Sequence, residues 1–212
     1  MDGTLLDLHF DNHFWLEHML KKLAEKHSIS LQAAKDIMAV ETQQVMGTLS
    51  WYCVDFWAEK LDMDIVEAKR EIEHLISIRE DSLPFIDALK ASGRDVILVT
   101  NAHPDSLSLK VEHTQLNNHI DQLISTHEFS VTKESQVLWQ RLQAKLGFNP
   151  EHTLFVDDSL GILKAAQDFG IKHLLAVSNP DSRQPARKIS EFPSIQDYRF
   201  LLDEIVANPF VN

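Results

Sequence analysis

The sequence has one cysteine, Cys53, with six glycines and seven prolines in 212 residues. A single cysteine excludes an internal disulfide and any zinc site built on paired cysteines. So few glycines and prolines exclude collagen-like and linker-like chains. Basic residues are scarce as well: 20 Lys and Arg stand against 32 Asp and Glu, a formal net charge of −12. That balance offers no basic footprint for nucleic acid and no attraction to an anionic membrane surface. It leaves small anionic substrates open, because one pocket can be positive on an acidic protein. No stretch approaches the roughly 20 apolar residues of a membrane span. The opening MDGTLLDLHFDNHF begins with an acid and lacks a basic region, so no secretory signal is expected, and no Asn-x-Ser/Thr acceptor occurs. The expectation is a soluble cytoplasmic protein.

What is present is ordinary globular composition, 44% hydrophobic and 25% charged. The length suggests one domain with room for an insertion. From Phe14 to Ile78 the pattern is helical: Phe14, Leu16, Met19, Leu20 and Leu23 recur at short helical steps. Ser30 and Asp64 stand where helix N-caps are useful, and Trp51, Tyr52, Phe56 and Trp57 read mostly as core.

After Leu83 strands and helices alternate. Helices are expected over Pro84–Ser92, Pro104–Gln115, Glu134–Leu146, Leu160–Phe169 and Ile195–Val206. Strands are expected over Val96–Val99, Gln122–Thr126, Thr153–Val156 and His173–Val177. This alternation predicts an α/β fold, a Rossmann-like doubly wound parallel sheet. The helical region then reads as an insertion, with residues 1–12 and 80–212 as the core and 13–79 as a helical cap.

Ligands of open parallel sheets sit beyond the carboxyl ends of the strands. Thr100 and Asn101 follow one predicted strand, and Asp157 and Asp158 follow another. Lys133 precedes a helix in a loop, and Asp2-Gly3-Thr4 opens the chain. Paired carboxylates suit a hard cation such as Mg²⁺. A hydroxyl, a backbone amide and a lysine can hold phosphate oxygens, and Asp2 can act as an acid. Each has a plainer reading. Asp157-Asp158 could simply favour a helix N-terminus, and Asp2-Gly3-Thr4 could be a turn. His13, His103, His113 and His127 lack ligand spacing such as HExxH and read as surface or supporting groups.

The order of these motifs resembles the haloacid dehalogenase-like phosphatase superfamily. The matching stretches are MDGTLLD, VILVTNA, the lysine of SVTKES, and TLFVDDSLGILKAA. Within it the chain resembles the purine 5′-nucleotidases acting on GMP and IMP, through TLSWYCVDFW, TNAHP, VEHT, LISTHEF and NPDS. The resemblance implies a Mg²⁺-dependent phosphomonoesterase of purine nucleoside 5′-monophosphates working through an aspartyl-phosphate. It assigns catalysis to Asp2, Thr100 and Lys133. Substrate contacts fall to Gly3, Thr4, Asn101 and Asn12, and the metal to Asp2, Asp157 and Asp158. Gly3 would let the backbone approach phosphate, and Asn12, Trp15 and Trp51 would contact the nucleoside from the cap.

One departure matters. Asp2 matches the family's acid/base residue, so the nucleophile would fall immediately before Met1, and the apolar first central strand that carries it is missing. The expectation is that the natural start lies upstream and that these 212 residues alone are inactive. Alternatives are a phosphatase of a sugar phosphate or phosphoglycolate, a dehalogenase, and a non-catalytic phosphate-binding module. A receiver-type signalling domain is excluded, because its acidic pair comes first and its lysine last.

Overall fold

The computed structural model describes residues 1–210. Its first part is helical. Helix α1 (His9–His13) runs through a π-helical turn (Phe14–His18) into α2 (Met19–His27), followed by α3 (Leu31–Val45), α4 (Leu49–Tyr52), α5 (Val54–Leu61) and α6 (Ile65–Arg70). Ser30 caps α3 by accepting from the Ala33 N–H at 3.1 Å, and Asp64 caps α6 by accepting from the Glu67 N–H at 2.8 Å. Of the apolar stripe in the sequence, Phe14, Met19, Leu20 and Leu23 join Phe10, Trp57 and Ile65 in one buried core, whereas Leu16 is 65% exposed. Leu109, from the second part of the chain, closes it.

The second part alternates as expected: α7 (Ser82–Ala91), β1 (Ile97–Thr100), α8 (Pro104–Thr114), β2 (Gln122–Ser125), α9 (Gln136–Leu146), β3 (Leu154–Asp157), α10 (Leu160–Phe169) and β4 (His173–Val177). The expected final helix is shorter. Ser194–Ile195 forms a strand, β5, and the helix α11 spans Leu202–Ala207 after a 3-10 turn at Tyr198–Leu201. The backbone of Ile195 is drawn into the sheet, its carbonyl accepting from the Ser178 N–H at 2.9 Å, which outweighs its place in a helical pattern.

All strand pairs are parallel, but they form two sheets, β1-β2 and β3-β4-β5. Strands β1 and β3 share no ladder, although Val99 and Phe155 pack on the same apolar cluster. No central strand is formed by the first residues. Residues 1–8 make a turn with isolated bridges, Asp2 to Leu6 and Leu6 to Ile78. Met1 is buried with Leu98 and Leu107. The Tyr198 hydroxyl ties the turn down by donating to the Thr4 carbonyl at 3.1 Å, while its ring stacks on Phe85 at 4.4 Å.

Candidate active site

The carboxyl ends of β1 and β3 open into one cavity of about 750 Å³ between the helical part and the α/β part. Its floor holds Asp2, Thr100, Asn101, Lys133, Asp157 and Asp158, and Asn12, Trp15 and Trp51 line its walls. Residues as far apart in sequence as Asp2 and Asp158 therefore meet at one place. Gly3 and Thr4 lie outside the cavity wall. A Cβ on Gly3, whose φ is +70°, would come within 2.6 Å of Asp158 Cγ. The glycine thus makes room for the carboxylate. Thr4 is buried and its hydroxyl has no partner among the described residues.

Asp157 ends β3 and is almost fully buried. One carboxylate oxygen accepts from the Ser159 N–H at 2.9 Å and the other from Lys133 Nζ at 2.6 Å. Burial alone would pull the Lys133 ammonium down, but Asp157 outweighs it and the pKa is raised. Asn101 positions the lysine: its Oδ1 accepts from the Lys133 N–H at 2.9 Å and from Thr126 Oγ1 at 3.1 Å. Thr100 Oγ1 accepts from the Ala102 N–H at 3.1 Å, and Asn12 Nδ2 donates to Asp181 at 2.7 Å.

Asp158 has no lysine of its own. Burial, and then the neighbouring Asp157, push its carboxyl up to about 6. Lys133, the amino terminus and Arg187 offset that rise only in part. The donors are hard oxygens, so the pair fits Mg²⁺.

Sequence reasoning missed the ion network behind Asp2. Lys110 Nζ donates to Asp2 Oδ1 at 2.6 Å and to Asp11 at 2.5 Å, and Lys69 Nζ donates to Asp11 at 3.0 Å. Both lysines are almost fully buried. Burial would raise the Asp11 carboxyl, but the two ammonium groups hold it well below the usual range. Burial lowers Lys69, whereas Asp11 and Asp2 outweigh the same burial at Lys110 and raise it. The available signal was weak, a lysine at each of two sites on otherwise apolar helix faces. Tyr52 was also missed. Its hydroxyl donates to Glu134 at 3.1 Å across the cavity rim, and burial raises its pKa.

The family model of haloacid dehalogenase-like hydrolases matches residues 1–170. The GMP/IMP nucleotidase YrfG of Escherichia coli (strain K12) is 45% identical over 206 residues, covering 97% of this chain and 93% of that protein. A solved HAD phosphatase from Thermococcus onnurineus superposes with a TM-score of 0.79 at 21% identity, covering 100% of this chain and 97% of that one. A putative beta-phosphoglucomutase from Thermotoga maritima superposes with a TM-score of 0.68 at 15% identity, covering 97% and 95% of the two chains. A hydrolase built on a Rossmann-like parallel α/β fold is thus the class to which the chain belongs. The chain belongs to the haloacid dehalogenase-like hydrolases.

Proposed function

We propose that this hydrolase is a phosphatase of purine nucleoside 5′-monophosphates, GMP and IMP foremost. The convergence of Asp2, Thr100, Lys133, Asp157 and Asp158 on one aromatic-walled cavity carries the reading. The likeness to a GMP/IMP nucleotidase over nearly the whole chain supports the substrate. Residues 13–79 act as the cap and residues 1–12 with 80–212 as the core.

Each residue has a task in this reading. Thr100, the Asn101 amide and the Lys133 ammonium bind the phosphoryl oxygens and offset their charge. Asp157, Asp158 and the Asp2 backbone carbonyl hold Mg²⁺, which when bound offsets further negative charge on the phosphate. Asp2 gives a proton to the leaving nucleoside oxygen and then takes one from the attacking water. Lys110 holds one Asp2 oxygen, leaving the other for that exchange. Asn12, Trp15 and Trp51 contact the nucleoside, since aromatic faces suit a purine. By the resemblance the nucleophile would be an aspartate two positions ahead of Asp2, a position the 212 residues do not include, and it would form an aspartyl-phosphate with release of nucleoside.

Phosphate release from a panel of nucleoside monophosphates and sugar phosphates tests this. The 212 residues are compared with a chain carrying an apolar strand that ends in Asp fused ahead of Met1. The extended chain should hydrolyse GMP and IMP with Mg²⁺, and the shorter one should be slower by roughly 10³-fold or more. Equal turnover would refute the nucleophile assignment, and a preference for sugar phosphates would refute the substrate.

A further inference from the structure

Cys53, His103 and His127 are far apart in sequence and were not expected to meet. In the structure they do. A ligand atom from each lies within 4.8 Å of the other two. The two imidazole rings stand edge to face, 4.9 Å between centroids. Cys53 comes from the junction of α4 and α5 in the helical part. His103 follows β1, and His127 follows β2, both in the α/β part. The cluster therefore spans the two parts of the molecule at one side of the cavity.

The environment of the rings is what a metal site requires. His127 Nε2 is buried and has no hydrogen-bond partner among the described residues. Burial, and then the neighbouring His103, lower the pKa of the ring, while the Asn101 backbone works against them. A buried imidazole nitrogen left bare and favoured in its neutral form is suited to ligate a metal. An unpaired buried nitrogen is otherwise unfavourable. At His103, Nδ1 lies 3.7 Å from the Asp105 carboxylate and Nε2 lies 3.4 Å from Asp55. Asp105 can orient the ring through an Nδ1 proton, which requires the weak 3.3 Å contact from the Asp105 N–H to give way. Asp55 stands at the rim, able to fill a fourth position.

We propose that Cys53, His103 and His127 form a Zn²⁺ site that clips the helical part to the α/β part. One sulfur and two imidazole nitrogens are a donor set for Zn²⁺, whereas Mg²⁺ and Ca²⁺ require oxygens. Tetrahedral donors at roughly 2.0–2.3 Å from the ion lie about 3.3–3.8 Å apart, so the cluster closes by about 1 Å on binding. The Cys53 thiol proton is released to solvent, and both histidines bind through neutral nitrogens. Bound zinc would also immobilise the loop carrying Asn101, next to Thr100. The site stands on residues outside the proposed phosphatase chemistry and does not depend on it.

Equilibrium dialysis with Zn²⁺, together with Co²⁺ absorption spectra, tests the site on the full 212-residue chain. The expected result is a single Zn²⁺ per chain at micromolar free metal, one proton released per ion, and a cobalt spectrum with a thiolate charge-transfer band. Cys53→Ser should lose that band, and His127→Gln should weaken binding at least about 10-fold. Asp158→Asn should keep both the band and the affinity. Far-UV circular dichroism of the metal-free variants separates loss of ligand from loss of fold. A chain that binds no Zn²⁺ at micromolar levels, or a cobalt band that survives in folded Cys53→Ser, overturns the proposal.

Discussion

Lys110 Nζ, on helix α8, donates to Asp2 Oδ1 at 2.6 Å across 108 residues of sequence. The same ammonium reaches Asp11, and Asp11 reaches Lys69. Two buried ammonium groups and two carboxylates thus balance, joining the helical part to the α/β part immediately behind the proposed acid.

Removing one member should be costly, because a buried charge is left unpaired. Lys110→Met is expected to destabilise by about 3–5 kcal/mol in urea melts. Lys110→Met combined with Asp11→Asn should recover part of that loss, since fewer charges remain without a partner. A loss under about 1 kcal/mol for the single variant would show that the network contributes little.

The pH dependence follows from two carboxyls shifted in opposite directions. Asp158 titrates near 6 when folded and near 3.8 when unfolded, so the folded state binds its proton more tightly. Stability should rise as pH falls from about 7 to about 5. Asp11 is held below its ordinary value, so its contribution is present above about 4 and is lost as pH falls further. Denaturant melts across this range should show a maximum near pH 5.

Asp158→Asn removes the acidic carboxyl and should raise stability near pH 8 by roughly 1–2 kcal/mol. It should also abolish the rise between pH 7 and 5 and weaken Mg²⁺ binding measured by calorimetry. Unchanged Mg²⁺ affinity would remove Asp158 from the metal site.

Gly3→Ala places a methyl group 2.6 Å from Asp158 Cγ on a backbone at φ +70°. Strain and displacement together should cost about 2–4 kcal/mol in thermal or urea melts. Affinity for Mg²⁺ should fall with stability, because the carboxylate moves. A variant as stable as the parent would contradict the close approach.

Trp51 lines the cavity while its carbonyl accepts from Trp57 Nε1 at 2.9 Å. Trp51→Ala keeps that backbone contact and removes the indole. Binding of GMP should weaken by roughly 1–3 kcal/mol, about 5- to 150-fold, with inorganic phosphate binding unchanged. Equal losses for both ligands would place Trp51 against the phosphate.

Most element positions were legible because they rest on local rules. Helical periodicity, the Ser30 and Asp64 caps and short apolar strands depend on neighbours within a few residues. Parallel strands deliver their carboxyl ends to the same side, which made Thr100, Asp157 and Asp158 legible at one rim, whereas Asp2 and Lys133 were placed there by the motif order alone. Ile195 escaped this logic, because a partner strand outweighed its local pattern.

The sequence by itself determined which chemistry is available: acids and a hydroxyl at strand ends and a lysine in a loop before a helix, on a chain of net charge −12. Only the tertiary structure decided who stands beside whom. The Lys110–Asp2 pair, the Gly3–Asp158 approach and the Cys53–His103–His127 cluster each join residues far apart in the chain. No short-range pattern encodes such pairings. They arise when two separately periodic segments bury their apolar faces against each other and leave a few polar groups to find partners in the space between.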